Sequence, residues 1–331
     1  MIAILHSVVD AGELGTLIQE RWKLPAPFRC ELITRGMNDV YLVKSGATRY
    51  AARVWRADMQ TQDTVSWELE FLAHLRAQGV PVIAAVPDKS GALSFPVEAP
   101  EGTRHVCLFE WAAGRQYSAN PTAALARRIG ATVAQLHIAG RSFRPRSARP
   151  LDFADVQIRA KFPMLDRRLD ERPEDRTFYR EAGQAIASGL KDVYAQGVAC
   201  GPIHGDVHAK NVFVADDGNF ALLDFDTCGE AHLMHDAMSF IWANDYLSLN
   251  PANAGLTPDL GVAFLAGYEE VRPLDAFERG CLPLFTASKE FSYMCIISDI
   301  VNRVGYGTFQ PELFDWFGQS VRRHVKAAKL L

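Results

Sequence analysis

No C-x-x-C pair occurs in this chain of 331 residues; its six cysteines, Cys30, Cys107, Cys200, Cys228, Cys281 and Cys295, stand far apart. That spacing excludes a thiolate zinc knuckle, and a chain this long needs no disulfide framework, so the cysteines read as free thiols of a reducing compartment. No apolar run approaches the roughly 18 residues needed to span a bilayer. The opening MIAILHSVVDAGEL has no basic flank, and His6, Ser7 and Asp10 interrupt its apolar stretch, which is not the pattern of a secretory leader. Positive charge is not in excess either. Lys and Arg number 35 against 39 Asp and Glu, for a net charge of −4, which leaves no electrostatic footprint for nucleic acid or an anionic membrane. Repeats and low-complexity linkers are absent. A cytoplasmic protein with neither nucleic-acid nor membrane partners is expected.

What is present is an ordinary globular balance, 48% hydrophobic and 22% charged, with room for a sizeable core. The length suggests two domains or one bilobed fold with a cleft. Residues 39–44 and 50–55 are short strand-like runs joined by Ser45-Gly46-Ala47-Thr48, which predicts a hairpin. A helix is predicted from Asp63, stopped by Gly79 and Pro81. Residues 93–98 and 105–110 read as two more strands, the first at an edge because it contains Pro96. Beyond Gly114 the texture turns helical, at 121–139, at 172–196 and from His235 onward, around a strand-rich patch at 203–225. This order predicts an α+β fold with a small β-rich lobe at 1–112 and a larger, mostly helical lobe at 113–331.

The segment 203–226, IHGDVHAKNVFVADDGNFALLDFD, carries the chemistry. Its apolar runs VFVA and FALL are split by Asp216-Asp217-Gly218-Asn219, a hairpin signal. A hairpin returns the chain beside its start, so Asn211 before one strand and Asp224 after the other become neighbours, with paired strands about 4.8 Å apart. Asp206, on the entering loop, reaches the same space. Three oxygen donors suit a hard cation such as Mg²⁺ and leave coordination sites for phosphate oxygens. Any one of these residues commonly flanks a turn; all three around one hairpin form the Asp-x-x-x-x-Asn…Asp arrangement of kinases.

HGDVHAKN followed by LLDFD resembles the aminoglycoside phosphotransferase, choline kinase and type II homoserine kinase superfamily, which has a protein-kinase-like fold. Asn38-Asp39-Val40-Tyr41, Ala134-Gln135-Leu136-His137 and His235-Asp236 resemble further motifs of that superfamily, so the likeness covers nearly the whole chain. The resemblance implies an ATP- and Mg²⁺-dependent transfer of the γ-phosphate to a hydroxyl of a small molecule. It implies Asp206 as catalytic base, Asn211 and Asp224 as metal ligands and Asp226 as an accessory ligand. His204 would orient the loop. Asp236 would accept backbone hydrogen bonds from it, or cap the helix that follows. His208 and Lys210 occupy variable motif positions and are assigned no chemistry.

On the nucleotide side, Val65, Leu69, Leu72 and Leu75 make one apolar helical stripe, and Glu68 falls inside it while Glu70 falls opposite. A carboxylate on a buried stripe requires a partner. Glu68 is therefore expected to pair with the phosphate-binding cation. Where the superfamily carries Lys this chain has Arg53, with Arg56 and Lys44 as alternatives. The connector at 109–114 stands where kinases bind adenine through backbone groups, which implies Glu110 and Ala112. Asp245, Glu290 and Asp299, on helical stretches beyond the metal motif, are candidates to hold an amine, so the acceptor is expected to be an amino alcohol, an amino sugar or a homoserine-like molecule.

Two other readings compete. A protein Ser/Thr kinase shares the motifs, but only eleven residues separate Asp224 from Asp236, too few for a long activation segment. A metal-dependent hydrolase would use His204, Asp206, His208, His232 and His235 as a nitrogen-rich cluster, leaving Asn211 and the Asp-Phe-Asp motif unexplained.

Overall fold

The computed structural model describes residues 4–57, 59–170, 172–247, 257–304 and 311–331. In chain order the elements begin with helix α1 (Ala11–Trp22), strands β1 (Phe28–Arg35), β2 (Asp39–Ser45) and β3 (Thr48–Val54), helix α2 (Gln62–Ala77), and strands β4 (Ser94–Ala99), β5 (Gly102–Glu110) and β6 (Arg115–Gln116). Helices α3 (Ala123–Gly140), α4 (Phe162–Asp166) and α5 (Pro173–Ala195) follow, then strands β7 (Cys200–Ile203), β8 (Val212–Val214), β9 (Phe220–Leu222) and β10 (Gly229–His232). Helices α6 (Met234–Leu247), α7 (Thr257–Val271), α8 (Ala276–Val304) and α9 (Pro311–Ala327) complete the chain. The fold class is α+β, as expected, and no helix among the described residues is long and apolar enough to cross a membrane.

The chain divides into two compact units. The first comprises Met1–Tyr117, Phe143–Ser147 and Val212–Asp226; the second comprises Ser118–Ser142, Ala148–Asn211 and Thr227–Leu331. The division is not a single cut in the chain, because the β8–β9 hairpin belongs with the N-terminal strands.

The first unit is built on an antiparallel sheet of order β1-β2-β3-β5-β4. The predicted β2–β3 hairpin is present, Ser45 pairing with Thr48 across Gly46 and Ala47. The strand with Pro96 lies at the sheet edge, where its missing N–H costs no ladder bond. Tyr41, Val43, Ala52, Val54, Val106 and Leu108 point to the face covered by Leu14 and Ile18 of α1 and form the core. Strand alternation sends Arg53 to the opposite face. Helix α1 and strand β1 were not anticipated from the sequence. Asp10 caps α1 by accepting from the Gly12 and Glu13 amides. Helix α2 starts at a capping box between Thr61 and Thr64 and buries Val65, Leu69, Leu72 and Leu75, with Glu68 among them. A smaller sheet of order β6-β8-β9 carries the second predicted hairpin, Val212 pairing with Leu222.

In the second unit β7 pairs antiparallel with β10, and helices pack around them. Helices α3 and α7 meet backbone to backbone. A Cβ at Gly267 would stand 1.8 Å from the Arg127 carbonyl oxygen, and one at Gly130 would stand 2.0 Å from that of Phe264. A single methyl group therefore has no space at either position.

Gly267→Ala should destabilise the protein by about 1–3 kcal/mol through overpacking. Gly280→Ala is the control: that helical glycine has nothing within 4 Å of its would-be Cβ, so alanine should gain up to about 1 kcal/mol from helix propensity. Thermal midpoints of the two variants should move in opposite directions.

Candidate active site

Strand β7 ends at Ile203 and delivers the HGD loop. Gly205 adopts φ +87, and a Cβ there would stand 2.2 Å from the Thr227 carbonyl oxygen, so only glycine fits. Asp236, fully buried in the first turn of α6, accepts the His204 amide on Oδ2 and the Gly205 amide on Oδ1, each at 2.8 Å. His137 of α3 donates to Asp236 from Nε2 at 3.0 Å, and Tyr268 of α7 donates its hydroxyl to His137 Nδ1 at 2.7 Å. Burial opposes a charge on Asp236, yet the bond from His137 and the surrounding histidines hold its carboxyl below the ordinary range. Hydrogen bonds to a charged acceptor contribute about 1.5–3 kcal/mol each, so this carboxylate is a strong anchor for the loop.

Asp206 follows with its amide donating to His204 Nδ1 at 3.3 Å. Its side chain is 35% exposed, and Lys289 Nζ of α8, 11% exposed, lies 3.1 Å from Oδ1. His208 Nε2 lies 3.3 Å from Oδ2. The Lys210 amide donates to His208 Nδ1 at 3.1 Å, which leaves Nε2 as the donor toward Asp206. Burial works to raise the Asp206 carboxyl, but Lys289 and then His208 hold it well below the ordinary range. Asp206 is thus an anion gripped on both oxygens. Asn211 donates from its side-chain nitrogen to the Asp206 backbone carbonyl at 3.1 Å.

Behind this loop His235 donates from Nε2 to the Gly205 carbonyl at 3.1 Å and stacks on Phe153 at 4.2 Å. Burial, with Lys289 adding, pushes the His235 imidazole down to about 3. His232 stacks on Phe285 at 3.8 Å, and neither ring nitrogen has a hydrogen-bond partner. Burial holds it far below its ordinary value as well.

In the first unit Arg53 links two carboxylates, Glu68 at 2.7 Å and Asp224 at 3.1 Å. Its guanidinium also lies over Phe109, 4.9 Å from the ring centroid. Burial works against the Arg53 charge, but Glu68, then Asp224 and Asp226, hold its pKa above the ordinary value. The pair expected between Arg53 and Glu68 is present, and Glu68 is fully buried. Glu70 pairs instead with the exposed Arg146 at 3.1 Å, and Lys44 lies 3.6 Å from Glu31. Asp224 follows β9 by two residues with φ +65, a left-handed conformation for a non-glycine residue and a cost of order 1 kcal/mol. Asp226 accepts from the Asn38 side chain at 2.8 Å, and its backbone carbonyl accepts from Gln60 at 2.8 Å.

Each unit by itself offers oxygen donors of the kind a hard cation takes. In the second unit Asn211 has its side-chain nitrogen committed to the Asp206 carbonyl, and in the first Asp224 keeps a carboxylate 45% exposed. The nitrogen-rich cluster of the hydrolase reading is not formed: among the described residues no group of three or more His, Cys, Asp or Glu is arranged to hold a metal. His232 and His235 are packed against aromatic rings instead.

Glu110 closes β5, its amide donating to the Ala84 carbonyl at 3.0 Å and its carboxylate pairing with Arg76 at 2.5 Å. Ala112 follows in irregular, half-buried chain. Of the carboxylates expected to meet an amine, Glu290 is fully buried against His324 Nδ1 at 2.5 Å, and Asp245, 36% exposed, lies 3.8 Å from Arg323. Burial pushes the Asp245 carboxyl up, against the pull of Arg323 and His324. Asp299, half-buried on α8, is nine residues beyond Glu290, roughly 13 Å along the helix. Sequence reasoning missed Lys289. It has Phe285 four residues before it and Tyr293 four after, so the test that singled out Glu68, a charge on an apolar stripe, would have found it.

A family model described as "Phosphotransferase enzyme family" matches residues 30–274. An uncharacterised protein of Deinococcus radiodurans is 30% identical over 315 residues, covering 94% of this chain and 89% of the relative. The homoserine kinase of Caulobacter vibrioides is 26% identical over 298 residues, covering 86% and 84%. Among solved structures, an amicoumacin kinase in complex with AMP-PNP, Ca²⁺ and Ami has a TM-score of 0.75 at 16% identity, covering 95% of this chain and 94% of that one. This likeness shows the protein-kinase-like fold.

The buried histidines make stability depend on acidity. Unfolded imidazoles take up protons near pH 6.5, whereas His232 and His235 resist protonation in the fold. Their contribution is complete above pH 6.5 and is lost as pH falls toward 3, by up to about 1.4 kcal/mol per pH unit for each histidine. His232→Phe keeps the ring stack and removes one such group. Its thermal midpoint should match or exceed wild type at pH 7.5 and fall less steeply between pH 6.5 and 4.5; a slope equal to wild type's would refute the assignment.

Proposed function

Because the chain belongs to the phosphotransferase enzyme family, we propose that it transfers the γ-phosphoryl group of ATP, with Mg²⁺, to a hydroxyl of a small molecule that also carries an amine. The enzyme is a kinase with an alcohol group as acceptor. The observation that carries the finer reading is Asp206: an anionic, partly exposed carboxylate fixed on a loop that Asp236 anchors. Asp206 orients the acceptor hydroxyl and receives its proton. Asn211 and Asp224 would hold Mg²⁺, with Asp226 accessory to them. Bound there, the cation would offset charge on the nucleotide phosphates.

Arg53 grips the phosphates through its planar fork, and Glu68 holds that fork in place. The backbone at Glu110 and Ala112 receives adenine, in a lobe spanning 1–112. The lobe spanning 113–331 provides the acceptor site, with His204 and Asp236 supporting the loop. An amine on the acceptor meets an acidic side chain of that lobe, among which Asp245 is more accessible than Glu290. The likeness to a homoserine kinase favours an amino alcohol, amino sugar or hydroxy amino acid.

The test begins with Mg-ATP consumption across ethanolamine, 1-amino-2-propanol, glucosamine, L-serine and L-homoserine. With the best acceptor of that panel, Asp206→Asn should lower turnover by about 10²–10⁴-fold with Mg-ATP affinity within a few-fold of wild type. Full activity in a folded variant would remove Asp206 from the mechanism. Asp224→Ala should abolish Mg²⁺-dependent ATP binding in isothermal titration, and unchanged affinity there would refute its role as a ligand.

A further inference from the structure

Lys289 is a buried lysine on a stretch of α8 in which every residue from Leu284 to Ser292 is buried. Its ammonium reaches two acceptors, Asp206 Oδ1 at 3.1 Å and the Gly205 carbonyl at 3.5 Å. An unpaired ammonium in such a place is expensive, and a lysine carries roughly 2 kcal/mol of rotamer freedom that must be given up to be held there. A residue with only a packing role would serve as well with an apolar chain. The charge has one evident use, to meet Asp206.

The geometry around that carboxylate explains why orientation matters. A free aspartate samples several side-chain rotamers, and two contacts here hold Asp206 in one of them. His208 approaches Oδ2 from the loop itself, and Lys289 approaches Oδ1 from a separate helix. Asp206 is 35% exposed and Lys289 11%, so the lysine stands behind the carboxylate and leaves its outer side to solvent.

We propose that Lys289 is a positioning residue for phosphoryl transfer, fixing the Asp206 carboxylate so that its outer lone pair meets the acceptor hydroxyl. The inference rests on the reading of Asp206 given above. In the step served, the acceptor oxygen forms a bond to the γ-phosphorus as the bond from phosphorus to the bridging oxygen breaks. ADP leaves with that electron pair, and the hydroxyl proton passes to Asp206. Lys289 exchanges no proton; it restrains the acceptor of one. Since misplacement by about 1 Å can cost 10²-fold in rate, its loss should appear in turnover and not in nucleotide binding.

The experiment compares Lys289→Gln and Lys289→Arg with wild type, using Mg-ATP and the best acceptor of the panel above. Lys289→Gln leaves a polar side chain one bond shorter and without charge; its kcat should fall by about 10–100-fold, with the KM for ATP and the titrated Mg-ATP affinity within twofold. Lys289→Arg should recover most of the turnover. A thermal midpoint for each variant separates loss of fold from loss of rate. If Lys289→Gln is unfolded, the arginine variant alone decides, because a guanidinium restores the contact and near-inactivity in a folded Lys289→Arg would overturn the proposal. Wild-type kcat in folded Lys289→Gln would also overturn it, as would losses confined to KM for ATP. Asp206→Asn keeps the two ideas apart: if that variant remains active, the reading of Asp206 fails. If it is inactive while Lys289→Gln is fully active, only the role of Lys289 fails.

Discussion

The buried carboxylate of Asp236 is the interaction on which the path of the His204-Gly205-Asp206 loop depends. Two consecutive amides, of His204 and Gly205, point at its two oxygens, and that bidentate grip sets the backbone path into Asp206. Such a grip requires the amides to converge, which Gly205 permits by adopting a positive φ in a place too narrow for a Cβ. The carboxylate in turn needs compensation for its burial, and His137 supplies it, itself held by Tyr268. Because α3 carries His137 and α7 carries Tyr268, the close helix contact at Gly130 and Gly267 supports the loop at a distance. The chain of cause runs from helix packing, through one imidazole, to the position of Asp206.

The same economy governs the first unit. Arg53 stands on the sheet face opposite the core, where its charge is stabilised by Glu68 and shared with Asp224. A guanidinium has two terminal nitrogens in a planar fork and contacts both carboxylates at once, which the single nitrogen of an ammonium does less readily. Arg53 thus keeps an ion pair with the carboxylate of helix α2 and reaches Asp224 as well. It does so while stacking on Phe109, a contact specific to a planar cation.

Legibility from the sequence followed the strength of local constraints. Both hairpins were legible because Ser45-Gly46-Ala47-Thr48 and Asp216-Asp217-Gly218-Asn219 are turn chemistry between apolar runs. Glu68 was legible because a charge on an apolar stripe must find a partner. Helix α1 and strand β1 were not foreseen: α1 buries only Leu14, Gly15 and Ile18, and β1 is half exposed along its length, so neither shows a strong period. The segment from Phe153 to Arg159 folds as a π-helix, for which sequence spacing offers no simple signature. Lys289 escaped because the search beyond the metal motif looked for acids to hold an amine. Glu290, its neighbour, is turned about 100° away on the helix, toward His324.

The division of the chain into units has a practical bearing on recombination. Residues 204–211 belong to one unit and the following hairpin to the other, although they are continuous in sequence. Phe225 packs edge-on to Phe71, and Leu222 bridges to Val82, so the hairpin completes the first unit's structure. A gene fragment ending near Tyr117 would therefore encode an incomplete body, missing the strands that close it. Chimeras that exchange lobes between related enzymes would have to transfer Val212–Asp226 along with the N-terminal segment. Split reporters or permuted variants would be better opened at a surface turn than at the apparent lobe boundary.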